Sequence, residues 1–181
     1  MRTFPAEGQK DLVVDYGLYD SFFATWVDIE DINAVAAHLE VAPAVKKVCD
    51  FPAAVRSCEP DPRVQWFWIT RHAPGWSHIL TLSGASPDSD VLSLNRRRVF
   101  ELAYIGGIEE LYPLAYTYDG ESDAEFFDIP EYAPYWEDLI YTHRISEDEE
   151  FEQELIIMGR ITGRFYDQEF FSSQGLLCRM P

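Results

Sequence analysis

The spacing of apolar residues predicts helices at two places in the chain. The first follows Asp28, a side chain that can cap a helix, and Pro43 follows its end. Its apolar residues share one helical face: Ile29, Ile32, Ala36 and Leu39. The second follows Ser146, because a serine with Glu149 three residues later forms the capping-box pattern, and Gly163 ends it. Its apolar face contains Phe151, Leu155, Met158 and Thr162.

Aromatic and β-branched residues without helical spacing predict the strands. Pro74-Gly75 suits a type II turn and predicts a hairpin between two of them. Asp119-Gly120 predicts another hairpin, and Pro113 makes the strand before it an edge or bulged strand. The predicted strands are 16–27, 44–50, 63–71, 77–84, 98–105, 108–118, 124–129 and 164–171.

The segment after the first hairpin can fold in two ways. Ser86 and Pro87 open a helix, but if this helix ran on to residue 105, Asn95 and Arg98 would lie in the middle of its apolar face. Burying an unpaired arginine is costly. We therefore predict that the helix breaks near residues 95–97 and that a strand begins at Arg98.

These elements predict the fold class. We expect an α+β protein with a mostly antiparallel sheet of about six to eight strands and about three helices. The chain of 181 residues suits a single domain over 1–181. Residues 132–135 are predicted to be an aromatic loop and the chain from Ser172 a loop, with 1–12 and 172–181 as less ordered tails.

Composition limits the class of protein. The hydrophobic share of 47% excludes disordered and low-complexity classes. No apolar stretch approaches the roughly 20 residues that span a bilayer. The polar N-terminus lacks the apolar segment of a signal peptide, and three cysteines without a CxxC pair are typical of reduced thiols. We therefore expect a cytoplasmic protein.

The net charge of −18 changes the picture most. Residues 109–154 hold 16 acidic side chains and one basic side chain. Such a balance argues against direct binding of nucleic acid, which depends on lysine and arginine at the phosphates, and against an anionic membrane surface. The charge therefore either serves solubility alone or attracts a basic protein partner.

Candidate catalytic and metal-binding residues are few. His72 and His78 flank the first hairpin turn, and two imidazoles are half a zinc site, although no carboxylate stands at a diagnostic spacing. Two polar residues at a hairpin mouth are the simpler interpretation, so these histidines are weak metal candidates and we expect no cofactor. The basic cluster 96–98 is expected to pair with the protein's own acids.

Carboxylates interleaved with tyrosine and tryptophan are typical of a surface that recognises arginine-rich or lysine-rich protein. We expect the following residues to contact a partner, eight as electrostatic contacts and the last two as anchors: Asp119, Glu121, Asp123, Glu125, Glu147, Asp148, Glu149, Glu150, Tyr118 and Trp136.

Three functions remain open at this stage. The first is an acidic binding protein that occupies a basic surface of another protein, as an inhibitor, an immunity-type protein or a nucleic-acid mimic would. The second is an assembly or scaffold subunit whose charge serves solubility. The third is a metal-dependent hydrolase with an unmarked site. The localised charge, the tyrosines and the absence of a catalytic motif favour the first function. Acidic, aromatic-rich α+β domains of this size are common among small bacterial immunity proteins, an analogy of composition alone, because no motif here matches a family.

Overall fold

A computed structural model describes residues 3–42, 45–122, 126–139 and 146–180. Within these residues lie seven α-helices and eight strands. The helices are α1 (Gln9–Asp15), α2 (Ile32–His38), α3 (Phe51–Ser57), α4 (Ser89–Ser93), α5 (Ala133–Trp136), α6 (Glu147–Thr162) and α7 (Gln168–Ser172). The strands are β1 (Phe22–Val27), β2 (Lys46–Cys49), β3 (Gln65–Ala73), β4 (Trp76–Ser83), β5 (Arg98–Ile105), β6 (Glu110–Tyr118), β7 (Glu121–Ser122) and β8 (Gly175–Met180).

All eight strands form one antiparallel sheet in the order β2-β8-β3-β4-β1-β5-β6-β7. The predicted α+β class and antiparallel sheet are confirmed, whereas about three helices was too few. The first hairpin is confirmed, with Gly75 at φ 83° in its turn. The predicted break between helix and strand is confirmed too, because Asn95 and Arg96 both adopt positive φ between α4 and β5.

Both faces of the sheet are buried. On β5, Phe100 and Tyr104 belong to the core beneath α1, α3, α6 and α7, while Val99 belongs to a smaller core beneath α2 and α4. On β3, Trp68 lies in the first core and Phe67 in the second. Because strand neighbours alternate between faces, core covers both sides of β3.

Helix α6 is formed as its local sequence predicts. Ser146 accepts a hydrogen bond from the Glu149 main-chain N–H, and the Glu149 carboxylate accepts one from the Ser146 N–H, which completes the capping box. Gly163 ends the helix at φ 82°, a left-handed conformation that glycine adopts without steric cost.

The predictions for the C-terminal segment are wrong. Residues 164–171 do not form a strand, because Asp167 caps α7 and the adjacent Phe170 and Phe171 both enter the same core, which alternation along a strand would prevent. The chain from Ser172 is not a loop, since β8 lies between β2 and β3. At Gly175 a Cβ atom would lie 2.7 Å from the Ile69 carbonyl oxygen, so only glycine fits this close approach.

Four other boundaries also differ. The strand predicted from residue 16 begins at Phe22, since α1 occupies 9–15, and the first predicted helix is capped by Asp31 instead of Asp28. Asp28 instead accepts hydrogen bonds from Arg98, which confirms the expected internal pairing for that arginine. Residues 126–128 form a 3₁₀ turn where a strand was predicted, and the predicted loop at 132–135 lies in a 3₁₀ turn and α5.

Candidate binding surface

The acidic stretch 109–154, which we call the acidic window, contains strand β6 and the first half of helix α6. Helix α6 packs along β6. The Glu147 carboxylate accepts a hydrogen bond of 2.7 Å from the Leu111 main-chain N–H, and Glu154 accepts one of 3.0 Å from Leu114. Glu147 and Glu154 are seven helical residues apart, and Leu111 and Leu114 are three strand residues apart. Both separations are about 10 Å, so the spacing of the carboxylates matches that of the N–H groups. Pro113, between them, has no N–H, and the register shift beside it confirms the predicted bulge. Acidic side chains of α6 therefore satisfy this edge of the sheet.

Glu154 is the most buried carboxyl group of this seam. Its side chain is 0% exposed, and Oε1 has no hydrogen-bond partner. The pKa of Glu154 is raised to about 8, mainly by burial and also by the neighbouring Glu150 carboxylate, while the hydrogen bond from Leu114 opposes the shift. The group therefore carries a proton through much of the neutral range.

Asp148 also bonds within the protein. It accepts hydrogen bonds from Lys10 Nζ at 2.5 Å, from the Tyr19 hydroxyl at 3.1 Å and from the Tyr104 hydroxyl. The hydrogen bond from Lys10 is the main reason that the pKa of Asp148 lies below its ordinary value. Burial raises the pKa of Tyr104, so its hydroxyl remains a donor. Asp148 thus fastens α1 and β5 to the first turn of α6.

Glu152 caps α1 from outside that helix. Its two carboxylate oxygens accept the main-chain N–H groups of Gln9 at 2.9 Å and Lys10 at 2.6 Å. The residue at the N-cap of α1, Gly8, offers no side chain for this purpose. Burial raises the pKa of Glu152. Glu152, like Asp148, therefore holds α1 against α6.

The exposed acids at this end of β6, together with two exposed apolar side chains, form a surface that we name the acidic corner. The bond between Glu147 and Leu111 places the first turn of α6 beside the start of β6, and the ion pair of Lys10 with Asp148 places α1 beside the same turn. The corner comprises Asp11, Ile108, Glu109, Glu110, Tyr112, Glu147 and Glu149.

The acidic corner combines uncompensated charge with exposed apolar surface. None of its five carboxylates forms an ion pair within the part of the chain that the structure describes. Ile108 is 66% exposed and Tyr112 is 48% exposed.

A surface cavity of about 480 Å³ separates α1 from α6 and is lined by Asp11 and Glu149. Tyr112 pairs with Ala103 and lies on the face of the sheet opposite Leu111, whose face α6 covers. The corner therefore extends around the edge of the sheet at β6, with the cavity on the α6 side and Tyr112 on the other side.

The hairpin tip, where the sequence places Tyr118, Asp119 and Glu121, is a separate cluster. Leu111 and Asp119 are eight residues apart, so the tip lies about 26 Å from the corner at the usual rise of a strand. Asp119 accepts a hydrogen bond of 3.0 Å from the Arg96 main-chain N–H. Tyr118 is 39% exposed. The expected contacts thus divide between the two ends of β6.

The other expected contacts lie between these ends or outside the described residues. Glu150 is half-buried and lines a groove of about 440 Å³ beside Tyr116 and Phe127. Trp136 is half-buried, with its ring 5.6 Å from that of Phe127 in an edge-on arrangement. Asp123 and Glu125 lie outside the residues that the structure describes.

Five residues of the corner were not predicted from the sequence: Asp11, Ile108, Glu109, Glu110 and Tyr112. Glu109 and Glu110 lie inside the acidic window and closely follow Gly106-Gly107, a pair typical of a turn, so turn position was an available signal. Asp11 carried no such signal, because only the packing of α1 on α6 brings it to this surface.

The two histidines lie in the core instead of at a hairpin mouth. His72 and His78 are 2% and 0% exposed, and their ring centroids are 5.6 Å apart. His72 Nε2 lies 3.0 Å from Thr162 Oγ1, and His78 Nδ1 lies 2.9 Å from the Thr25 carbonyl oxygen. Burial lowers the pKa of His72 to about 3 and that of His78 well below its ordinary value, so both are neutral at pH 7.

The described residues contain no group of three or more histidine, cysteine or acidic side chains arranged to hold a metal ion. None of the helices in the same ranges combines the length and apolar character that crossing a membrane requires. Comparison with protein-family models, with curated proteins and with solved structures finds no significant match.

Proposed function

We propose that this protein is a non-enzymatic binding protein whose acidic corner occupies a basic surface of another protein, as an inhibitor or immunity-type protein does. The observation that supports the proposal is that the five carboxylates of the corner form no ion pair among the described residues, on an edge of the sheet that also exposes Ile108 and Tyr112. Uncompensated charge of one sign destabilises a fold through self-repulsion, and a cationic partner relieves that repulsion.

The two kinds of side chain at the corner contribute differently to binding. The carboxylates steer a cationic partner and raise the association rate, with a strong dependence on ionic strength. Tyr112 and Ile108 supply area that leaves water, and an aromatic face can also receive an arginine or lysine. Binding should therefore weaken as salt increases, while the apolar anchors maintain the bound state.

The two alternatives have less support. In the hydrolase hypothesis His72 and His78 hold a metal, yet His72 Nε2 and both nitrogens of His78 lie within hydrogen-bond distance of protein groups. In the scaffold hypothesis the charge only maintains solubility, so removing acids at the corner should affect binding no more than removing them elsewhere.

Charge removal at two places tests the proposal. The corner variant combines Asp11→Asn, Glu109→Gln and Glu110→Gln. A matched control removes three exposed charges elsewhere: Asp20→Asn, Glu59→Gln and Glu169→Gln. Each immobilised protein is exposed to lysate of its own source at low and high ionic strength, and the captured proteins are quantified by mass spectrometry. The best-captured cationic protein is then purified and titrated against all three proteins.

We expect wild type to form a stoichiometric complex with a cationic protein at low salt. The corner variant should bind it at least about tenfold more weakly, and the control should bind it nearly as well as wild type. Equal losses in both variants would support the scaffold alternative. If low salt enriches no cationic protein, the proposal is wrong.

A further inference from the structure

The opposite edge of the sheet, formed by β2, is open. β2 pairs with β8 on one side, and no other strand of the described chain pairs with its outer side. Val48, at the middle of this strand, is 64% exposed. Unpaired N–H and C=O groups along an edge can pair with another strand. The edge is therefore a possible site of strand addition.

The sequence of this edge is complementary to itself. When two copies pair in antiparallel fashion about an axis normal to the sheet, residues directly opposite must lie on the same face. A register centred on Val48 satisfies this condition and sets the two Val48 side chains opposite each other. It also sets Lys46 opposite Asp50 of the other copy, which continues the extended backbone at φ −73° and ψ 168°. The neighbouring register, centred on Lys47, sets two lysines opposite each other and is unfavourable.

Long-range electrostatics favour this edge over the rest of the surface. Seven strand spacings separate β2 from β7, which is about 33 Å. When two copies pair through β2, the distance between their acidic ends therefore far exceeds the screening length of about 8 Å at physiological salt. Lys46, Lys47 and Arg179 make the β2 edge locally basic. A second copy of a chain with a net charge of −18 meets the least repulsion here.

We propose that β2 is a self-association edge through which two copies join their sheets, with Val48 opposite Val48 and Lys46 opposite Asp50. The interface leaves both acidic corners free, so the dimer carries two binding surfaces. Because the strand has only four residues, the buried area is small and the association is weak, with a dissociation constant on the order of 100 μM.

Sedimentation of the purified protein over a concentration series reaching about 1 mM tests the proposal. Val48→Glu should weaken association at least about tenfold, because it sets two carboxylates opposite each other. Val91→Glu makes the same change at a valine on α4 that is 37% exposed, and it should leave association unchanged. A monomer at every concentration, or equal effects of the two substitutions, would overturn the proposal.

Cross-linking tests the register. Opposite Cα atoms of antiparallel strands lie about 4.5–5.5 Å apart, within the range that a disulfide spans. In a Cys58→Ser background, which removes the half-buried native thiol, Val48→Cys should form a disulfide-linked dimer on mild oxidation. Val91→Cys should not, and equal yields would contradict the register. Because no cationic partner is present, and the corner variant should dimerise like wild type, failure here leaves the proposed function standing.

Discussion

The two edge regions of the sheet differ in how their outward main-chain N–H groups are bonded. At β6 the outward N–H groups of Leu111 and Leu114 are bound by glutamates of α6, Pro113 has none, and β7 pairs with the end of the strand. At the other edge β2 is short and carries two lysines, and no described strand pairs with its outer side. Acids between residues 109 and 154 therefore differ in their contacts: Glu147 and Glu154 bind main-chain N–H groups of β6, whereas Glu109 and Glu110 are exposed and belong to the surface that we propose for a partner.

The hydrogen bonding at the β6 edge therefore involves a titratable group, whereas the β2 edge has no such bond among the described residues. Glu154 bonds to the strand as a largely protonated group, because its pKa lies at about 8. Asp148 and Glu152 bond to α1 from the same helix. The structural acids of α6 should therefore dominate stability, and substitutions at β2 should have little effect on it.

The largest effect is expected for Glu154→Gln at alkaline pH. The folded pKa of about 8 lies above the ordinary value of 4.5, so between these values the folded state holds a proton that the unfolded state has lost. The free energy of unfolding of wild type therefore falls as pH rises, by at most about 1.4 kcal/mol per pH unit for this group. Glutamine does not titrate, so the stability of the variant relative to wild type should rise with pH, by up to about 5 kcal/mol in total.

Urea unfolding of both proteins across this pH range measures the difference. The buried histidines lower the stability of both proteins equally at acid pH, so their contribution cancels in the difference between the two unfolding free energies. Glu121→Gln, at an exposed position, serves as the control and should show a flat difference. A difference for Glu154→Gln that does not change with pH would show that this carboxyl group is ionised in the folded protein.

The next effect is expected for Asp148→Ala, at about 2 kcal/mol of unfolding free energy. The substitution leaves the hydroxyl of Tyr104, a fully buried side chain, without its acceptor, and it also removes the ion pair with Lys10. Asp148→Asn keeps an acceptor oxygen and should cost less than half as much. If the two substitutions cost the same, the charge on Asp148 matters and its hydrogen bonds to the tyrosines do not.

Local signals predicted the parts of this fold whose partners are close in sequence. The capping box of α6 spans four residues, and the hairpin at Gly75 is defined by its own turn. β8 escaped prediction because its place depends on β2 and β3, which are more than 100 residues away. Its run of adjacent apolar residues, buried on both faces, also lacks the alternation that marks a strand with one exposed face.

The binding surface was harder to predict than the fold for the same reason. Charge density identified the window, yet it could not show that Glu147 and Glu154 match the spacing of two N–H groups on β6. It could not show that Asp148 meets Lys10 either, since that contact joins residues 138 positions apart. The total charge follows from composition, whereas the packing of α1 and α6 decides which carboxylates bond within the protein and which stay exposed.

A smaller effect is expected for Glu152→Ala, at about 1 kcal/mol, the usual cost of losing a helix N-cap. The main-chain N–H groups of Gln9 and Lys10 lose their acceptors, so α1 should open locally. Hydrogen exchange should quicken at these two amides and not in β2. Unchanged exchange in α1 would mean that water replaces the carboxylate without loss.

The smallest effect is expected at the open edge. Val48→Thr keeps the branched shape that a strand favours, and the side chain is mostly exposed, so the free energy of unfolding should change by less than about 0.5 kcal/mol. The measurement belongs at low protein concentration, where the chain is monomeric. A cost near that of Asp148→Ala would mean that Val48 is covered in the monomer. In that case the two edges would both be closed, and β2 would have no free groups to offer a second copy.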